Sequence, residues 1–379
     1  MSPPFLLIVT RHYPPEISGG ARRPFLLAKG LRERGWRVAI ASPFAPEGEP
    51  DWIRTPHPAA ERGRAAAEAG DPRQEPGWKS WTRRIVRWPD NEIGWAGEAV
   101  QAVIASALRP DWVLTTSPPE SAHAVGERLK RALGVRWALE MRDSWIEEPL
   151  RPELAAPGLR RKVEQGIAAR WLAAADARIA VSDALAAEMQ RLAPEAASPL
   201  SVIGHFADPP PAPFRFDGEG PHLLHSGSFT LSHADRKVGA LLAAFGALRS
   251  AYPTAHLHLA GRLTAMERAE ILISPNAESI TLHGELPYTE ARALQAGADA
   301  LILYQQGIDA LPGKLAEYLE CTAPILTLGE GPWKSRLTSI PHWPMEAAAI
   351  ALTVPARTPE NLLSAALDKY EARLGRAPG

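Results

Sequence analysis

Short apolar runs alternate along this chain with longer segments whose apolar positions recur at helical spacing. That alternation predicts βαβ units and parallel sheets. In the first half, strands are expected at residues 5–10, 37–41, 112–115, 136–140, 177–180 and 200–203. Helices are expected between them at 23–33, 95–108, 120–133, 159–174 and 182–192. Gly35 suits a C-terminal helix stop, and Ser182 and Asp183 can cap the helix after Val181. The rhythm breaks at Phe206-Ala207-Asp208-Pro209-Pro210-Pro211-Ala212-Pro213, a proline-stiffened stretch that excludes helix. It then restarts, with strands at 222–225, 256–260, 280–283, 300–304 and 324–328 and helices at 237–251, 265–273, 288–296 and 312–320. A last helix is expected near 359–374. The expected architecture is α/β, with two Rossmann-like domains facing a cleft: residues 1–205, residues 206–358, and a C-terminal helix within 359–379.

Length supports this division, because 379 residues exceed one ordinary core and fit two. Hydrophobic residues make up 45% and charged residues 22%, the balance of a globular protein. The formal net charge of −1 removes any global basic field for nucleic acid, so contacts with phosphate must be local. Cys321 is the single cysteine, which rules out an internal disulfide. The apolar run at 5–10 is too short for a signal segment, and no later run approaches the roughly 20 apolar residues of a membrane span. A cytoplasmic protein is expected. Residues 45–92 form an insertion rich in Pro, Gly and Arg that carries Trp52, Trp78, Trp81 and Trp88. The indoles suit an acceptor platform or a peripheral membrane contact; packing the insertion onto its own domain is the plainer reading.

In open parallel sheets, ligands bind beyond the carboxyl ends of the strands. After the first strand come His12 and then Gly19-Gly20 just before a helix. There the backbone can approach a ligand and free N–H groups attract anions, although a plain turn fits as well. The spacing is not a dinucleotide fingerprint, and no P-loop pattern occurs. After the strand at 222–225, Gly227 would permit close approach to a diphosphate, and Arg236 or Lys237 could neutralise it; a solvated basic pair is the alternative. Arg262 is similarly placed after Leu259-Ala260-Gly261. The most informative stretch runs from Gln305 to Glu320. Pro312 suits a first helical turn, amides near Gly313, Lys314 and Leu315 could hold phosphate, Glu317 could accept from a ribose diol, and Asp309 could bind sugar hydroxyls. An ordinary amphipathic helix with exposed acids reads the same way.

Several motifs in order resemble the family-four retaining glycosyltransferases of the GT-B fold. Tyr13-Pro14-Pro15-Glu16 and Ser18-Gly19-Gly20 are similar to the family's opening. Ser117-Pro118-Pro119 and Arg142-Asp143-Ser144-Trp145 resemble motifs of a bacterial polysaccharide-associated branch. Ser201-Val202-Ile203-Gly204-His205-Phe206 sits where the family places its interdomain strand end. Pro312-Gly313-Lys314-Leu315, with Glu317-Tyr318-Leu319, is similar to its donor-site helix. The family's first acid is replaced by the shorter Asp309, and the interdomain strand lacks the usual Asn-Gly.

The resemblance implies transfer with retention from a nucleotide-diphosphate sugar to a glycan, lipid-linked or small-molecule acceptor, with no required metal and no other cofactor. Gly227, Arg236, Lys314 and the Gly19-Gly20 loop would stabilise the leaving diphosphate. His123, Arg142 and Asp143 would stand on the acceptor side, with His12 a further candidate; His123 also fits an ordinary helix-surface histidine. Two rivals remain at this level: a nucleotide-sugar 2-epimerase on the same fold, and a degenerate, non-catalytic nucleotide-sugar-binding protein.

Overall fold

Strands apolar on both faces need cover on both sides, and each sheet here is flanked by helices that supply it. The computed structural model describes residues 3–16, 19–57, 88–147, 158–307 and 312–375. The chain divides into two compact units: Met1–His205 with Leu363–Gly379, and Phe206–Leu362. No described helix is long and apolar enough to cross a membrane.

Unit 1 holds seven parallel strands in the order β3-β2-β1-β4-β5-β6-β7. They are β1 (Phe5–Val9), β2 (Arg37–Ser42), β3 (Trp52–Arg54), β4 (Trp112–Ser117), β5 (Arg136–Met141), β6 (Ala177–Ala180) and β7 (Leu200–Val202). The described helices that accompany them before residue 205 are α1 (Gly19–Glu33), α2 (Ile93–Ala105), α3 (Ser121–Leu133), α4 (Leu159–Ala174) and α5 (Asp183–Leu192). The direction of winding reverses between β1 and β4, which makes their carboxyl ends a topological switch point. Ser182 caps α5 by accepting from the Leu185 amide at 3.3 Å.

Unit 2 repeats the plan with six parallel strands in the order β10-β9-β8-β11-β12-β13. These are β8 (His222–Ser226), β9 (His256–Ala260), β10 (Ile280–Gly284), β11 (Ala300–Tyr304), β12 (Ile325–Leu328) and β13 (His342–Pro344). Its helices are α6 (Val238–Ala251), α7 (Ala265–Leu272), α8 (Tyr288–Gly297), α9 (Lys314–Leu319) and α10 (Ala348–Ala351). Its switch point lies between β8 and β11.

Three local differences from the sequence pattern matter. α1 begins at Gly19 rather than 23, so Pro24 lies inside the helix. The helix expected at 312–320 contracts to the six residues of α9. The last helix, α11 (Leu362–Leu374), packs on unit 1: Leu367 presses against Gly30, and Arg34 pairs with Asp368 at 2.6 Å and Glu371 at 2.8 Å. β3 and β13, each three residues long, carry too few positions for a periodicity to register. Trp78 and Trp81 of the insertion, and Asp309, lie outside the described residues.

One face of unit 2 carries a row of imidazoles. His222 Nδ1 lies 3.1 Å from His258 Nε2, and His258 Nδ1 lies 3.1 Å from His283 Nε2. His256 stacks beside His222, and Phe216 covers both His222 and His258. A neutral imidazole has one donor and one acceptor, so neutral His258 satisfies both neighbours, whereas successive protonation brings cations together. Burial, then the neighbouring His283, His222 and His256, pushes His258 down to about 3, and burial lowers His256 and His283 as well. These groups bind protons more readily unfolded than folded. Stability is therefore full above about pH 6.5, the ordinary histidine value, and is lost as pH falls from there toward about 3. The thermal midpoint is expected to drop between about pH 7.5 and pH 5, and to drop less in His258→Gln. An equal acid slope in that variant would show that the row contributes nothing.

Candidate functional site

At the unit 1 switch point, an interior proline sets up the first contact. Pro24 lacks the N–H that would bond to the carbonyl of Gly20, one helical turn back. Arg142 fills that vacancy: its Nη1 donates to Gly20 O at 2.6 Å. Its Nε donates to Ser117 O at 2.9 Å and its Nη2 to Pro118 O at 3.1 Å. Arg142 thus clamps the glycine-bearing start of α1 to the Ser117-Pro118-Pro119 turn. The guanidinium expected on the acceptor side is thus buried and committed to carbonyls.

His123 is likewise enclosed. It is no surface histidine but is fully buried, with Nδ1 2.9 Å from Thr115 Oγ1 and its ring between Trp145 and Trp171. Burial is the main cause that brings it down to about 3, which favours the neutral ring. Asp143 differs. The residue is exposed overall and makes no hydrogen bond among the described residues, yet desolvation by the surrounding protein raises its carboxyl pKa against the pull of the Arg142 charge. His12 is half-buried, with Nδ1 2.8 Å from Glu16 Oε1. Gly19 and Gly20 form the first two residues of α1, and a Cβ at Gly20 would meet neighbours only at an ordinary 3.5 Å.

Behind this end of the sheet lies a charge network that pattern reading missed. Glu140, an acid on an otherwise buried strand, accepts from Arg23 Nη2 at 3.0 Å, from Thr116 Oγ1 at 2.7 Å and from Tyr370 OH. Arg23 also reaches Ile203 O at 2.9 Å, Gly204 O at 2.7 Å and Tyr370 OH at 2.9 Å. Burial alone would raise Glu140, but the Arg23 charge and the hydrogen bonds from Arg23, Tyr370 and Thr116 hold it low.

At the unit 2 switch point, β8 and β9 end on two glycines that cross. Gly227 has φ +141° and Gly261 φ +145°, and a Cβ on Gly261 would lie 2.3 Å from Gly227 O. The Gly227 backbone is thereby fixed before any ligand arrives. Beside it, Arg236 donates to Gln305 Oε1 and to Ser228 O at 3.4 Å. Lys237 is exposed, with its carbonyl accepting from Tyr304 OH at 3.0 Å. Of the two basic neighbours, Arg236 is therefore the one whose charge lies against the switch-point loops. Its charge and that of Lys314 both reach His225, which burial lowers to about 4. The Arg262 side chain is exposed and makes no contact with a partner among the described residues.

Leu315 donates its amide to Pro312 O at 2.9 Å, whereas the Gly313 and Lys314 amides have no partner among the described residues. That corrects the expected role of the Leu315 amide; its side chain packs into the core. Six residues add little macrodipole, so side chains carry the electrostatics here. The Glu317 Oε2 atom accepts from Lys314 Nζ at 2.9 Å and from Gln295 Nε2 at 2.8 Å, and Oε1 has no partner among the described residues. Gln295 and Arg292, buried three residues apart on one face of α8, were the missed signal: polar residues where the helical period demands apolar ones.

Residues 18–205 match the family described as glycosyl transferase 4-like domain. No curated protein is a significant match to the sequence. Among solved structures, sucrose-phosphate synthase from Thermosynechococcus elongatus is similar with a TM-score of 0.60 at 16% identity, over 98% of this chain and 96% of that one. HepE of Anabaena in complex with UDP and glucose gives 0.53 at 14% identity, over 98% and 95%. A glycosyltransferase involved in avilamycin A biosynthesis gives 0.52 at 15% identity, over 98% and 97%. These likenesses carry the fold, two Rossmann-like units in the GT-B manner. Residues 18–205 are thus a glycosyl transferase 4-like domain within a chain of GT-B fold.

Proposed function

We propose that the protein is a retaining glycosyltransferase that moves a sugar from a nucleotide-diphosphate donor to a glycan, lipid-linked or small-molecule acceptor in the cytoplasm. The observation that carries this is the pairing of unlike charges at one switch point: Arg236 and Lys314 beside the fixed Gly227 backbone, with the Glu317 carboxylate one turn into α9. A nucleoside diphosphate needs that combination, cations for the phosphates and an acceptor for the ribose hydroxyls. The Anabaena HepE structure holding UDP and glucose supports the same class of donor.

As the glycosidic bond breaks, negative charge grows on the departing diphosphate. Arg236, Lys314 and the Gly313 amide would stabilise it, and the half-buried setting of Arg236, held by Gln305 and Ser228, would strengthen its share. No metal is required in this scheme. On unit 1, Asp143 and His12 are the groups we assign to the acceptor, with Gly19 and Gly20 leaving room for close approach. Arg142 and His123 hold these elements in place. Asp309 is assigned to hydroxyls of the donor sugar.

The test is turnover. A panel of nucleotide sugars is incubated with the protein and simple glycan acceptors in the presence of a chelator. Release of nucleoside diphosphate with a glycoside of unchanged anomeric configuration is expected. Isomerised sugar without transfer, or binding without turnover, would replace this reading with an epimerase or a binding protein.

A further inference from the structure

Among the described residues Glu317 is gripped through Oε2 only, and apart from Lys314 the grip is built from buried groups. Gln295 has no exposed surface. Its Oε1 accepts from Arg292 Nη1 at 2.6 Å, and a guanidinium only donates, so the amide orientation is fixed. The Nε2 group therefore faces two acceptors, Ser226 Oγ at 3.0 Å and Glu317 Oε2 at 2.8 Å. Arg292 is itself 1% exposed and anchored to Asp208 O at 2.9 Å and Glu317 O at 2.6 Å. Ser226 in turn meets Tyr318 OH through both its amide, at 3.2 Å, and its hydroxyl, at 3.1 Å. Main chain and carboxylate of Glu317 are thus tied to the end of β8 and to α8 at the same time.

The consequence is an aimed oxygen. With Oε2 occupied by Gln295 and Lys314, the remaining acceptor capacity lies on Oε1, and the Glu317 side chain keeps 16% of its surface open. We propose that Gln295 is the positioning residue that makes this site selective for ribonucleoside over 2′-deoxyribonucleoside diphosphate donors. The inference rests on the reading of Glu317 as the ribose-binding acid. A carboxylate held still can accept from the 2′- and 3′-hydroxyls together; removing the 2′-hydroxyl deletes one charge-assisted hydrogen bond. A carboxylate tethered only by Lys314, whose side chain is 38% exposed, follows that flexible stem and loses the geometry on which discrimination depends.

The experiment titrates matched ribo and 2′-deoxyribo nucleoside diphosphates of adenine, guanine, cytosine and uracil into the full-length protein by calorimetry. For the preferred base, the wild type should favour the ribo form by roughly 10- to 100-fold. Gln295→Met should reduce that preference to below about 3-fold while leaving affinity for the deoxy form within about 2-fold, a split that general loss of structure would not produce. If the methionine variant does not fold, Gln295→Glu serves instead: it keeps an acceptor for Arg292, removes the donor and repels Glu317. A preserved ribo preference in a folded Gln295 variant overturns the inference and leaves the donor reading intact. Binding without ribo preference in the wild type also overturns it. Absence of nucleoside diphosphate binding, or indifference to Glu317→Ala, overturns the donor reading and the inference with it.

Discussion

Replacing Arg23 with methionine is expected to destabilise unit 1 by about 3–5 kcal/mol, because it strands a buried carboxylate. Glu140 is 1% exposed and Arg23 is its ion-pair partner at 3.0 Å; the buried Arg142 charge also acts on it but forms no ion pair with it. Thr116 and Tyr370 donate hydrogen bonds but no charge. Above the ordinary carboxylate range the variant must either bury that charge or take up a proton, and both cost stability. The double change Arg23→Met with Glu140→Leu should recover much of the loss, since a well-packed apolar pair avoids desolvating two ions. Tyr370→Phe should cost less, about 1–2 kcal/mol, and should loosen α11 selectively. Urea denaturation of the three variants, with hydrogen exchange across α11, checks the ranking. A silent Arg23→Met would mean that the network does not hold the helix.

The second large effect concerns ligand binding. Glu317→Ala should weaken binding of a nucleoside diphosphate by about 1.5–3 kcal/mol, roughly 10- to 150-fold, with turnover falling in parallel. Lys314 contributes a cation nearby, and the same carboxylate fixes its position at 2.9 Å. Removing Glu317 therefore frees Lys314 as well as deleting the acceptor. Inorganic pyrophosphate, which lacks a ribose, should bind the variant about as well as the wild type. If pyrophosphate and nucleoside diphosphate lose affinity equally, Glu317 acts through Lys314 and not on the ribose.

Much of the α/β framework was legible because it rests on local periodicity. The buried strands Ala177–Ala180, His256–Ala260 and Ala300–Tyr304 stand where apolar runs bounded by turn residues place them. What periodicity could not reveal were contacts between segments far apart in sequence. Arg23, Glu140 and Tyr370 are separated by more than a hundred residues at each step, and no spacing rule joins them. Arg142 looked catalytic because it ends a strand beside the expected site; its carbonyl partners only become visible once Pro24 is known to lie inside α1. His123 sits at a helix start that reads as solvent-facing, yet Trp145 and Trp171 of α4 close over its ring, and Trp137 of β5 bonds to the Thr115 hydroxyl that meets its Nδ1. The stretch at 312–320 was legible as a helix start with an acid one turn in, but its true length depends on packing of Leu315, Tyr318 and Leu319 into the core.

Thermal denaturation of the full-length protein with a panel of nucleoside diphosphates and their sugars tests the central claim most directly. A ligand that binds only the folded state raises the midpoint in proportion to the logarithm of its concentration over its dissociation constant. One ribonucleoside diphosphate and its sugars should raise the midpoint, and Glu317→Ala together with Arg236→Ala should abolish the rise. A flat response of the wild type to every nucleotide at millimolar concentration would contradict the account.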